Sequence, residues 1–176
     1  MNGWKLGGNA ADGEFRMYRQ RGFSLIELLI VVAIILIVSA IAVPNIFRAK
    51  INANESSAVS SLRTIVTAEI TYSSTYPEIG FSSSLATLGG TNCTASPSST
   101  TACILDNTLA QATTPANSRS GYYFTYTPDS ALGYTLYGDP AYWNRSGTKH
   151  YYTDGGGVIH YNAANQTSSV TDPTIQ

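Results

Sequence analysis

The sequence predicts an α+β chain: a long N-terminal helix, transmembrane in its first half and amphipathic in its second, lies on a C-terminal antiparallel β-sheet of three to four strands. Three observations predict it. Residues 28 to 38, Leu-Leu-Ile-Val-Val-Ala-Ile-Ile-Leu-Ile-Val, carry no polar side chain. Apolar residues then recur at helical spacing as far as Ile70. From Gly121 onward, tyrosine-rich stretches alternate with Gly, Pro and Asp, the rhythm of short strands and turns. Charged residues make up only 12% of the 176, against about 25% in ordinary soluble domains, so a membrane segment is the first expectation.

The apolar segment comes first. Residues 23 to 43 end at Pro44, and as a helix they span about 31 Å, the thickness of a bilayer's hydrocarbon core. Their one ionisable residue is Glu27. A carboxylate inside a membrane costs at least a few kcal/mol near the centre, which makes it a functional suspect by default. Pro44 removes one helical hydrogen bond and is expected to bend the helix without ending it, because helical periodicity resumes at once.

The amphipathic half follows. Val59, Leu62, Val66 and Ile70 share a stripe with Ala58 and Ile65 beside it, while Arg48, Lys50, Glu55 and Arg63 are placed on other faces. The helix is expected to run to about Ser74, with Pro77 and Gly80 ending it. The apolar side between Ile51 and Ile70 is the cover the sheet needs for one face.

Residues 77 to 120 read as connecting structure, with a hint of a short helix at 104 to 111. The sheet is expected over 121 to 162, with strands at 121 to 127 and 134 to 137 around a Pro128-Asp129 turn. A hairpin follows from His150 to Asn162, its loop at Asp154-Gly155-Gly156-Gly157. The tail, 163 to 176, has no apolar rhythm and reads as a loop or poorly tied end.

Cys93 and Cys103 lie ten apart with no second pair or nearby His at metal-ligand spacing. In an exported chain they read as one disulfide formed in an oxidising compartment, the alternative being two buried or free thiols. His150 and His160 flank the hairpin around Asp154, and two surface histidines are a simpler reading than a metal site. Asp129, Asp139 and Asp154 lack the spacing of a calcium loop and read as turn formers. Asn92, Asn144 and Asn165 head Asn-x-Ser/Thr triplets and read as polar loops. No nucleophile, base and orienter set is apparent, so no enzyme, cofactor or metal is expected. The formal net charge of −1 provides no basic surface for nucleic acid.

The stretch Arg21-Gly22-Phe23-Ser24-Leu25-Ile26-Glu27-Leu28-Leu29-Ile30 closely resembles the processing site of type IV pilins and of the related type II secretion pseudopilins. The resemblance covers about residues 21 to 76 closely and the remainder only in architecture. It implies that a basic leader, 1 to 22, stays in the cytoplasm, and that a prepilin peptidase cuts between Gly22 and Phe23. Phe23 is then N-methylated. Glu27 becomes the fifth residue of the mature chain and Pro44 the twenty-second, at the helix bend. Arg19 and Arg21 form the cytoplasmic basic flank, and Met17 is read as the initiator, giving a shorter leader. Residues 23 to 44 are then the transmembrane and assembly helix, 45 to 76 the amphipathic helix and 77 to 176 the pilin head.

The physical part of Glu27's role needs no family. Cutting at Gly22 frees an amine that is cationic at neutral pH, about 6 Å along the axis from Glu27. A helix does not fold its own terminus back over that distance, so amine and carboxylate from staggered copies neutralise one another in an apolar bundle. Implied partners are a homo-polymer, the peptidase and assembly machinery, and the inner membrane before assembly, with the head outside the cytoplasm. The finished fibre is extracellular and serves adhesion or surface motility. The runner-up is a pseudopilin, a short periplasmic piston subunit. A secretory signal peptide is a poorer account, because the apolar run is too long and continues into an amphipathic helix. So is a plain anchor, because it leaves Glu27 unexplained. Arg48 and Lys50, on the far side of the span, run against the positive-inside tendency.

Overall fold

The computed structural model describes residues 22–90, 93, 96–130 and 133–175. Met17, Arg19, Arg21 and the rest of residues 1 to 21 lie outside the described residues, as does Asn92. Two units divide at residue 40. The layout is α+β: a 51-residue helix α1 (Leu25–Thr75) and, near the C-terminus, a four-stranded antiparallel sheet. Between them lie two one-turn helices, α2 (Leu85–Leu88) and α3 (Asn107–Ala110), and a 3-10 turn at Pro115–Asn117.

The strands β1 (Tyr122–Asp129), β2 (Gly133–Pro140), β3 (His150–Asp154) and β4 (His160–Asn162) pair in chain order, so the sheet is a meander. Its first hairpin is longer than the sequence suggests. Pro128 and Asp129, expected as the turn, are strand residues opposite Tyr134 and Gly133. Proline is tolerated there because β1 is an edge strand, where a missing donor can face away from the ladder. Gly133 takes the left-handed φ of +78°, and a Cβ there would stand 2.4 Å from the Phe81 ring. In the second hairpin β3 ends at Asp154 and β4 begins at His160, so the loop extends through Val158 and Ile159.

The core forms where α1 meets the sheet. Glu55, Ala58, Leu62, Ile65, Glu69 and Tyr72 are buried at alternating three- and four-residue steps, one stripe of a 3.6-residue helix. Against them lie Tyr122, Phe124, Tyr134, Leu136 and Tyr151. The stripe is rotated from the expected one: Ile70 is 57% exposed, whereas Glu55 and Glu69 are inside.

Both glutamates are buried because each ties down a distant segment. Glu69 accepts from the Ser82 amide at 3.0 Å and the Ser82 hydroxyl at 2.5 Å, fixing the chain just after the helix turns back. Glu55 accepts from the Thr148 amide (2.9 Å) and hydroxyl (2.7 Å) and pairs with Lys149 at 3.1 Å. Burial pushes the Glu55 carboxyl up, but the Thr148 bonds and Lys149 outweigh it and hold the group below the ordinary glutamate range.

Residues 77 to 120 are more than connection. Leu85, Leu88, Ala102, Leu105, Leu109, Ala110 and Ala112 all belong to the core. Their apolar content is spread over elements of one turn each, too short for periodicity to reveal. The tail is also tied. The Tyr161 amide donates to the Pro173 carbonyl (2.9 Å) and the Ile175 amide to that of Ile159 (2.8 Å). Asp172 gathers the Ser169 amide and the Asn162 and Ser168 side chains.

Candidate functional site

The residues singled out at the N-terminus stand on a segment that nothing in the structure covers. Gly22, Phe23 and Ser24 precede the helix in non-helical conformation, and α1 starts at Leu25, two residues later than the apolar run suggests. Ser24 supplies the first acceptor: its carbonyl receives the amides of Glu27 (3.1 Å) and Leu28 (3.2 Å). The Gly22–Phe23 bond is therefore outside the helix. Phe23 is 79% exposed, and no atom lies within 4 Å of where a Gly22 Cβ would be.

Glu27 occupies the first turn of α1, where the positive end of the helix dipole favours an acid. It is exposed and forms no ion pair among the described residues. Around it Leu25, Ile26, Leu28, Leu29 and Ile30 are all more than half exposed. The helix is long and apolar enough to cross a membrane, and its most apolar stretch is not buried at all. Side chains of this kind gain nothing from water. Each Leu or Ile gains about 1.5 to 3 kcal/mol when fully removed from it, so this stretch is a candidate surface for contact with lipid or with other helices.

Pro44 lies within α1, and helix continues on either side. Its missing N–H leaves the Ala40 carbonyl, four residues back, without its helical donor. The Asn45 side-chain amide donates to the next carbonyl along, that of Ile41, at 3.0 Å.

In the head, Cys93 and Cys103 form a disulfide. It closes over Gly90, where a Cβ would meet the Cys103 sulfur at 2.7 Å and the Cys93 sulfur at 3.1 Å, so only glycine fits beneath the bridge. His150 and His160 do not meet across the hairpin: the register sets His150 opposite Asn162 and His160 opposite Tyr152. His150 instead joins Asp139 through Nδ1 at 2.5 Å and stacks on Trp143, while His160 Nδ1 contacts the Asp172 carbonyl at 2.7 Å. Asp139 is thus a strand residue bridging β2 to β3, not a turn former. Asp154 does form a turn, accepting from the Gly156 amide at 2.8 Å. Among the described residues no three His, Cys, Asp or Glu side chains cluster to hold a metal.

The uncovered apolar stretch is led by a glycine, an aromatic residue and a lone glutamate, and comparison with known proteins finds similarity there. Residues 17–43 match the family model described as the prokaryotic N-terminal methylation motif. Over 70 residues the chain is 44% identical to the type IV major pilin protein PilA of Myxococcus xanthus (strain DK1622). That match spans 36% of this chain and 32% of the relative, about a third of its length. No solved structure matches. Motif, similarity and α+β layout together support a type IV pilin.

Proposed function

We propose that this chain is the structural subunit of a type IV pilus, and that its work is mechanical, not catalytic. The precursor is cut between Gly22 and Phe23 by prepilin peptidase, and Phe23 is N-methylated. The chain waits in the inner membrane, held by residues 23 to 44 with the head outside the cytoplasm. It then joins a homo-polymeric extracellular fibre used for adhesion or surface motility, and needs no cofactor.

The observation that carries this reading is the junction of two features. The methylation motif falls at residues 17–43, overlapping the first part of α1, whose most apolar stretch is left uncovered. Bilayer first and helix bundle afterwards are the two environments that would satisfy such a surface in turn. Glu27 decides the register, since in a dry bundle its carboxylate is stable only beside the free amine of a neighbouring copy. The disulfide-clasped head favours a pilin over a type II secretion pseudopilin.

The test is to shear cells and analyse the filaments. Long filaments should contain this chain beginning at methylated Phe23. An intact Gly22–Phe23 bond in exported material overturns the processing step, and absence of the chain from long filaments favours the pseudopilin. Glu27→Ala should leave cleavage and membrane insertion intact and remove nearly all filaments; abundant filaments from that variant would refute the pairing.

A further inference from the structure

We propose that Arg48, Lys50 and Arg145 form a basic collar that binds the phosphates of anionic lipid headgroups, docking the head on the membrane surface before it enters a filament. This rests on the reading of residues 23 to 44 as the membrane span. The first argument is position. By helical rise Arg48 and Lys50 lie about 7 and 10 Å beyond Val43, the last residue of the apolar run. The headgroup layer on each face of a bilayer is roughly 5 to 8 Å deep, so these two cations stand at and just above the phosphates. Both are exposed.

The second argument is convergence. Lys50 lines an open pocket of about 440 Å³ together with Asn54, Ser120, Tyr142, Arg145 and Ser146, so the β2–β3 loop, 141 to 149, brings a second cation, Arg145, to the side of Lys50. That loop is held firmly. The Asn54 side chain donates to the Ser146 carbonyl (2.8 Å), the Tyr142 amide donates to the Ser146 hydroxyl (3.0 Å), and a Cβ on Gly121 would strike that of Ser146 at 2.7 Å. Its aromatic residues suit an interface. Tyr142 is 64% exposed beneath the Arg145 guanidinium at 5.9 Å, and Phe47, next to Arg48 in the chain, is also exposed. An amphipathic ring beside a cation is the composition found at headgroup depth.

The third argument is charge. Glu55, five residues beyond Lys50 on the same helix, is committed to Lys149 and Thr148. Among the described residues the three collar cations have no acidic partner. An anionic surface supplies one, with roughly a five-fold gain in partition for each cation near it. The placement of Arg48 and Lys50 against the positive-inside tendency then has a physical reason.

Trp143, stacked on His150 within the loop, is one of two tryptophans, the other being Trp4. Trp4 lies in the leader, so in the chain that begins at Phe23 Trp143 is the sole reporter. That protein is reconstituted into phosphatidylcholine vesicles carrying a headgroup-attached quencher, with or without about one third phosphatidylglycerol. The collar predicts quenching roughly three-fold stronger with the anionic lipid, falling to the neutral-vesicle level near 1 M salt and in the Arg48→Gln, Lys50→Gln, Arg145→Gln triple variant. Arg63→Gln, on the helix but away from the collar, should behave like the parent. Equal quenching in both vesicles, or an unaffected triple variant, overturns the proposal. So does a signal that depends on protein density and not on lipid charge, which would assign the collar to a second copy of the chain. Alkaline carbonate extraction separates the two readings: a chain stripped from the vesicles sinks the membrane span and the collar together, whereas a retained chain with lipid-independent quenching sinks the collar alone.

Discussion

Residues 25 to 43 and residues 55 to 72 belong to the same helix, yet their apolar side chains have opposite fates. In the first stretch leucines and isoleucines stand open, Leu29 at 61% and Ile37 at 65% exposure; in the second Leu62 and Ile65 are wholly buried. Their glutamates invert the pattern. Glu27 stands open in a first turn with no ion pair among the described residues, while Glu55 and Glu69 are buried in the core with both carboxylate oxygens engaged. The lesson is that helix periodicity assigns residues to faces, and the partner decides what a face is for. Where the sheet is present, the helix is one wall of a folded core. Where none of the described residues packs on it, the same secondary structure leaves its leucines and isoleucines as open surface.

The sharpest way to break the comparison is to make the same deletion in both stretches. Leu62→Ala should destabilise the head by about 2 to 5 kcal/mol through lost burial and the cavity left behind, whereas Leu29→Ala should leave the head's melting unchanged by circular dichroism. Equal losses would show that the two stretches are coupled. Next in size, Cys93→Ser with Cys103→Ser should lower head stability by roughly 2.5 to 3 kcal/mol from the restored freedom of the loop, read by denaturant titration, with the apolar helix still inserting into vesicles.

Smaller effects come from titration. The Glu55 carboxyl is held below its ordinary value in the folded head, so its stabilisation is present above the unfolded-state value of about 4.3. It is lost as the pH falls below that towards the folded value. Glu55→Gln should lower the melting temperature at neutral pH and flatten its fall in acid; an unchanged acid slope would assign the sensitivity elsewhere. At the other extreme, burial pushes the phenols of Tyr122, Tyr134 and Tyr151 upward, and that of Tyr152 to about 12. Their stabilisation is full below about 10 and is lost as the pH rises through the folded values. Absorbance near 295 nm should therefore show these four ionising only together with unfolding.

Legibility in the sequence followed the length of each signal. A 51-residue helix was readable because dozens of residues repeat one rule, and the sheet because tyrosines and turn residues alternate. α2 and α3, at four residues each, contain too little repetition to be seen. The motif at Gly22, Phe23 and Glu27 needed no long-range information to be singled out, because the three lie within six residues of one another. What stayed hidden was long-range pairing: Glu55 with Thr148, 93 residues away, and His150 with Asp139 across two strands.

The chain's own order of residues determined that there is a greasy span with one acid in it, a helix that runs on past a proline, and two cysteines within reach of each other. Tertiary structure alone decided which stripe of that helix is buried, that two of its glutamates are struts inside the core, and that Arg145 stands beside Lys50. The physical reason is the range of the forces concerned. Backbone hydrogen bonding and burial of a local run are written in neighbouring residues, whereas the partner of a buried charge is set only when distant segments close around it.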